Sequence, residues 1–247
     1  MKKLGTVFYH GYGVRGPIWD LIRKSLAELD RAQDEPDDTL GPTFAPSFDA
    51  NDIDDLIRRA KDAAVRFSAD LNAPMLLVGH SLGAVLAAVV AEEIGPPVVK
   101  GAVLIAPPYG DRERPPGALL RFLFRHRLIP PALLRPRFFS SHTPVSIQKE
   151  IFAAATPEAP ALRELNLTPR FFHTDRFSSP LPVPSMVLAS RCDRVVPAER
   201  SVQFGDVLGS EIVVWPEHEQ VGHDDFFASP RIADRTARVI ADFAMGR

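Results

Sequence analysis

The chain has 247 residues, 45% of them hydrophobic and 24% charged, with 29 Lys+Arg against 31 Asp+Glu. That apolar fraction can fill a sizeable core, and the length suits one large α/β domain, a class that routinely runs to roughly 250 residues. A net charge of −2 and a pI near 6.4 argue against a nucleic-acid-binding domain, which is usually basic with a pI above about 9.

Cys192 is the single cysteine, so no disulfide closes within the chain. The expectation is a reducing compartment, the cytoplasm. The opening residues are basic, but the apolar run that follows is short and reaches His10. A signal peptide needs roughly 7–15 apolar residues and a small-residue cleavage site, and neither is present. No run of about 18 apolar residues predicts a membrane span.

Residues 4–9 predict a strand ending in the turn His10-Gly11-Tyr12-Gly13. Pro17 opens a helical pattern through Ile18, Leu21, Ile22, Leu26 and Leu29. Residues 39–47 read as a loop or short strand broken by Pro42 and Pro46. Asp49 or Asn51 then caps a helix carrying Ile53, Leu56, Ile57, Ala60, Ala64 and Phe67 on one side. The uninterrupted apolar run 74–78 predicts a strand buried on both faces of a parallel sheet. After Gly79-His80-Ser81-Leu82-Gly83, residues 84–94 are apolar almost all round, the mark of a buried helix. Residues 98–106, 183–190 and 211–215 predict further strands, with helices over 197–204 and 231–243. Alternating strands and helices imply a doubly wound, mostly parallel sheet of about six strands flanked by helices.

Residues 110–180 break this rhythm. They hold 10 of the 24 prolines and 8 of the 16 phenylalanines, and 11 Lys+Arg against 6 Asp+Glu. This shift predicts a lid or cap inserted into a core domain made of residues 1–109 and 181–247.

The pattern G-x-S-x-G at 79–83 falls where a buried strand meets a buried helix, the setting of a nucleophile elbow. Ser81 then stands at a helix N-terminus, which favours developing negative charge. A serine hydroxyl needs a base to take its proton and a carboxylate to orient that base. Of seven histidines, His80 belongs to the elbow and is expected to point away from the serine. His126, His142 and His173 lie in the insertion, His10 precedes the first glycine turn, and His218 starts a polar loop. His223 follows the last strand and precedes the final helix, at the carboxyl edge of the sheet where a base can reach Ser81. Asp193, just past the strand at 183–190, is the first choice for the acid, and Asp111 is the second. The chain order Ser81, Asp193, His223 differs from both main serine-protease orders.

With these pieces in order, the sequence resembles the α/β-hydrolase superfamily, in its esterase, lipase and lysophospholipase-like branch. The matching residues are His10-Gly11-Tyr12-Gly13, Gly79-His80-Ser81-Leu82-Gly83, Asp193 before Val195-Val196-Pro197, and Gly222-His223 before Asp224. The resemblance implies an oxyanion hole from the backbone N–H groups of Tyr12 and Leu82. It also implies that the family's first two antiparallel strands are absent, and that the insertion occupies the family's cap position. The expected activity is cleavage of carboxylic esters through an acyl-enzyme, with no metal or organic cofactor. The partner is a small-molecule ester, with an apolar acyl group to which phenylalanines such as Phe122, Phe124, Phe138 and Phe139 are suited, unless they serve only to pack the lid onto the core. The basic amphipathic stretch with Arg121, Arg125 and Arg127 predicts either interfacial contact through a moving lid, without membrane insertion, or a fixed cap whose arginines pair with the acidic core. Thioesterase, acyltransferase, carbon–carbon hydrolase, cofactor-free haloperoxidase and ligand-receptor readings stay open on the same residues.

Overall fold

The computed structural model describes residues 4–31, 40–112, 117–126, 128–156, 158–165, 167–168, 170–171 and 174–246. Residues 1–3, Thr39, Arg127 and His173, named above, lie outside the described residues.

Strand β1 (Leu4–Tyr9) alternates its side chains between two faces, as a pleated chain must. Val7 and Tyr9 enter one apolar cluster and Phe8 the other. A 3-10 turn over Gly16–Trp19, with Pro17 in its first turn, leads into α1 (Asp20–Arg31). Strand β2 (Leu40–Phe44) follows and lies at the sheet edge, where Pro42 is tolerated. Helix α2 (Ile53–Leu71) is capped by Asp52, whose carboxylate accepts the Asp55 N–H at 2.9 Å. From the sequence the cap is expected at Asp49 or Asn51. Only Asp52 directly precedes the first helical residue, which lets its short side chain reach back to the third N–H of the turn.

Strand β3 (Met75–His80) is buried throughout and runs two residues further into the glycine motif than the sequence predicts. Helix α3 (Leu82–Ile94) and strand β4 (Val99–Ile105) follow. The insertion contributes α4 (Ala118–Arg125), α5 (Pro131–Phe138), α6 (Val145–Ala154) and α7 (Pro160–Leu165). The chain then returns through β5 (Ser185–Ser190), α8 (Ala198–Leu208), β6 (Glu211–Trp215), the short α9 (Asp225–Ala228) and α10 (Pro230–Ala244).

The strands form one sheet in the order β2-β1-β3-β4-β5-β6, and every adjacent pair is parallel. Buried residues of α2, α3 and α8 form the core on one side, and those of α1, α9 and α10 form it on the other. The strand order reverses direction between β1 and β3. In an open α/β sheet that reversal leaves a crevice at the carboxyl ends of the two strands. His10 follows β1 there and Ser81 follows β3.

Candidate active site

Ser81 joins β3 to α3 with φ 54° and ψ −119°, a conformation that costs a side-chain-bearing residue on the order of 1–3 kcal/mol. Neighbouring backbone holds it: the Ser81 N–H donates to the Ile105 carbonyl at 2.8 Å, and the Ser81 carbonyl accepts the Ala84 N–H at 2.9 Å. The turn closes only because both flanking positions lack a Cβ. One on Gly79 would strike the Gly83 carbonyl, and one on Gly83 would strike the carbonyls of Tyr9 and His10. The glycines therefore press the elbow against the loop that leaves β1.

In that loop His10 is buried, and its Nδ1–H donates to the Gly11 carbonyl at 2.9 Å. Burial lowers its pKa and keeps the ring neutral at ordinary pH. Tyr12 borders two cavities that also meet Ser81. One, of about 70 Å³, includes Leu82 in its wall, and the other, of about 250 Å³, includes His223. Leu82 is the first residue of α3, so its N–H has no acceptor within the helix.

His223 stands in the loop between β6 and α9. Its Nδ1–H donates to Asp193 Oδ2 at 2.6 Å, with both side chains buried. The other Asp193 oxygen, Oδ1, accepts the Val195 and Val196 N–H groups at 2.7 and 2.8 Å. Burial alone would lower the His223 pKa, but the Asp193 charge and hydrogen bond outweigh it, with help from Asp224, and the pKa is raised. Asp111, the second choice for the acid, is exposed and paired with Arg170 at 2.8 Å. Among the other histidines, His126 lies with its ring tilted 46° against that of Phe122, centroids 4.5 Å apart, His142 bonds the Glu219 carbonyl at 2.7 Å, and His218 lies in a 3-10 turn over Glu217–Glu219.

His80 departs from its expected role as a bystander. Its ring centroid is 4.5 Å from that of His223, and its Nε2–H donates to the His223 carbonyl at 2.9 Å. Burial, and then the neighbouring His223, hold its pKa well below the ordinary value. A neutral His80 thus pins the backbone of the histidine loop.

Asp225 pins the same loop from the other side. It accepts the Gly222 N–H at 2.7 Å, the Thr143 hydroxyl at 2.6 Å and the Ser140 N–H at 3.1 Å. Asp224 borders the larger cavity, and burial pushes its carboxyl up to about 7. The one signal for these three residues was their adjacency to the motifs, since the His80 partner and the insertion partners of Asp225 lie 80 or more positions away.

Donor atoms of His80, His223 and Asp224 lie within 4.8 Å of one another, the one grouping among the described residues able to hold a metal ion. Each imidazole already commits one nitrogen to a hydrogen bond, leaving at most one per ring for an ion.

The insertion is tied to both loops. Thr156 N–H donates to the Gly13 carbonyl and Asp224 N–H to the Phe138 carbonyl, at 2.9 and 2.8 Å, while Glu158 accepts the Gly13 N–H at 2.9 Å. Phe124 and Phe138 line the larger cavity, Phe139 is buried, and Phe122 is 52% exposed. Helix α4 buries none of its residues, and Arg125 on it makes a two-point bond to Glu164. No helix among the described residues is long and apolar enough to cross a membrane.

The sequence matches the model of the alpha/beta hydrolase family over residues 7–236. Against curated proteins it finds no match. Among solved structures it is similar to a lipase-esterase related protein from Clostridium acetobutylicum ATCC 824, at 15% identity and a TM-score of 0.73 over 98% of this chain and 96% of that one. It is similar to an esterase from Exiguobacterium antarcticum, at 14% identity and a TM-score of 0.70 over 99% and 93% of the two chains. A bromoperoxidase from Bacillus anthracis gives 15% identity and a TM-score of 0.70 over 99% and 92%. At such identities the likeness speaks to the backbone alone. The family match covers nearly the whole chain, and with the six-stranded parallel sheet and its strand-to-helix elbow it establishes that the chain belongs to the α/β-hydrolase family.

Proposed function

We propose that this protein is a serine hydrolase of carboxylic esters that works through an acyl-enzyme on Ser81. The observation that carries the reading is the buried 2.6 Å bond from His223 Nδ1 to Asp193, on a histidine that shares one cavity with Ser81. The bond holds the proton on Nδ1 and leaves Nε2 as a base. His223 takes the Ser81 proton as Oγ attacks the ester carbonyl, then returns it to the departing alkoxide. Water enters by the reverse sequence and releases the acid. The Tyr12 and Leu82 N–H groups stabilise the oxyanion, where one donor is typically worth about 2.7–4 kcal/mol.

Leu120, Phe124 and Phe138 on the larger cavity suit an apolar acyl group, and residues 110–180 act as its cap. The exposed Leu119 and Phe122 on α4 supply interfacial contact with amphipathic substrates. The single cysteine suits work in the cytoplasm. The lipase-esterase related protein and the esterase among the structural neighbours are in keeping with ester cleavage.

The test is turnover of p-nitrophenyl esters together with stoichiometric labelling by a fluorophosphonate. The expected result is both in the wild type and neither in Ser81→Ala, with at least about a 1,000-fold loss of kcat. Turnover that survives in Ser81→Ala would overturn the reading, and ligand binding without turnover or labelling would favour a receptor.

A further inference from the structure

Arg112 follows β4, is half-buried, and borders both cavities that meet at Ser81. Its guanidinium lies 4.3 Å from the centroid of the Phe171 ring, and its Nε–H donates to the Thr168 carbonyl at 3.1 Å. These contacts fix the plane of the group and use one of its five donors. Three other arginines of the insertion have carboxylate partners. Arg125 is matched with Glu164, Arg170 with Asp111 and Arg176 with Glu93, at 2.7, 2.8 and 2.9 Å. The chain neighbour Asp111 is thus taken, and among the described residues no carboxylate pairs with Arg112. Burial lowers its pKa, and no anion among the described residues opposes the shift.

The rest of the cavity wall agrees in sign. Arg137 borders the larger cavity and bonds only the Arg194 carbonyl, at 3.3 Å, among the described residues. Among the described residues, the sole carboxyl on that wall is Asp224, which burial leaves partly protonated near neutral pH. A half-buried cation with no carboxylate beside it among the described residues suffers desolvation that no ion pair there offsets. Beside a nucleophile, a charge brought by the substrate supplies that partner.

We infer that Arg112 is a specificity-determining residue that receives an anionic group, carboxylate or phosphate, carried by the ester whose carbonyl meets Ser81. The inference rests on the proposed ester hydrolysis. A guanidinium held in one plane presents paired N–H donors that match either anion at two points.

The test compares wild type, Arg112→Gln, Arg112→Lys and the surface control Arg58→Gln on two substrate pairs. One pair is the monomethyl and dimethyl esters of dicarboxylic acids from succinic to suberic. The other is 1-acylglycerol 3-phosphate and 1-acylglycerol. The wild type is expected to favour the anionic member of one pair in kcat/KM, and which pair identifies the anion. Arg112→Gln should cut that preference about 10- to 100-fold, chiefly through KM, as for lost hydrogen bonds to an ionised partner. Arg112→Lys keeps part of the preference, and Arg58→Gln keeps all of it.

No preference in either pair, or a loss in Arg112→Gln that is equal for both members, would overturn the inference. A protein that cleaves no ester would sink the hydrolase reading, and the anion site is then tested alone. Calorimetric binding of glutarate or glycerol 3-phosphate to Ser81→Ala, lost in Ser81→Ala/Arg112→Gln, supports the site, and no binding to either overturns it.

Discussion

Asp193→Asn probes the proposed mechanism at its narrowest point, because it changes one atom and leaves the packing intact. Asp193 divides its oxygens between two tasks. Oδ1 holds the loop through the Val195 and Val196 N–H groups, and Oδ2 receives the His223 Nδ1 proton at 2.6 Å. The amide oxygen of asparagine can keep the two loop bonds, which directs its NH₂ at His223. Two donors then face each other unless the imidazole moves its proton to Nε2 and accepts through Nδ1. In that tautomer Nε2 cannot take the Ser81 proton, and the imidazolium loses its counter-charge. The expected cost is about 10,000-fold in kcat, or about 5.5 kcal/mol of transition-state stabilisation. The assay is kcat and kcat/KM on a p-nitrophenyl ester against pH, with a thermal melt to check that the fold persists. In the wild type the rate should rise through an apparent pKa above about 6.5, the ordinary histidine value, because Asp193 favours the protonated ring. The residual activity of the variant should rise at lower pH. Asp193→Asn within tenfold of wild type, with Asp111→Asn crippled, would refute the reasoning and move the acid to Asp111.

Asp224→Asn should shift the ascending limb of kcat/KM to lower pH, since the Asp224 charge also raises the His223 pKa; an unmoved or upward-shifted limb would contradict it. The shift should be largest above pH 7, where the wild-type carboxyl, pushed up to about 7, is ionised. Gly83→Ala should lower Tm by several degrees although alanine favours helix by about 1 kcal/mol, because its Cβ meets fixed carbonyls of Tyr9 and His10 at an overpacking cost of about 1–3 kcal/mol; differential scanning calorimetry reads the change. For α4, which buries none of its residues, activity on a medium-chain ester should rise above the substrate's aggregation limit. Leu119→Ser/Phe122→Ser should abolish the rise, and equal rates on both sides of the limit would leave the segment a static cap.

The course of the chain was legible because each buried element carries its period in its own residues. The 74–78 run and the all-round apolar 84–94 stretch correspond to β3 and α3, and the glycines flanking Ser81 mark a turn with no room for a Cβ at those two positions. Residue types and their order also nominated Ser81, His223 and Asp193, since the chemistry of an activated serine demands those functional groups. Asp193 over Asp111 was harder to read. Both follow strands of the same sheet, and one is buried against His223 while the other faces solvent with Arg170.

What local sequence could not carry is the pairing of side chains distant along the chain. His80 looked idle because its partner is the carbonyl of His223, 143 positions on. Asp225 gathers donors from Ser140 and Thr143, and no local pattern connects an insertion to a loop more than 80 residues later. The displaced charge balance of residues 110–180 was plain from composition, yet composition does not say which arginine is matched. Packing decided that by giving carboxylates to Arg125, Arg170 and Arg176 and setting Arg112 beside Ser81. Periodicity is local because backbone hydrogen bonding and burial repeat along an element. Electrostatic pairing depends on distances through space, and those exist only once the sheet has brought its loops to one edge.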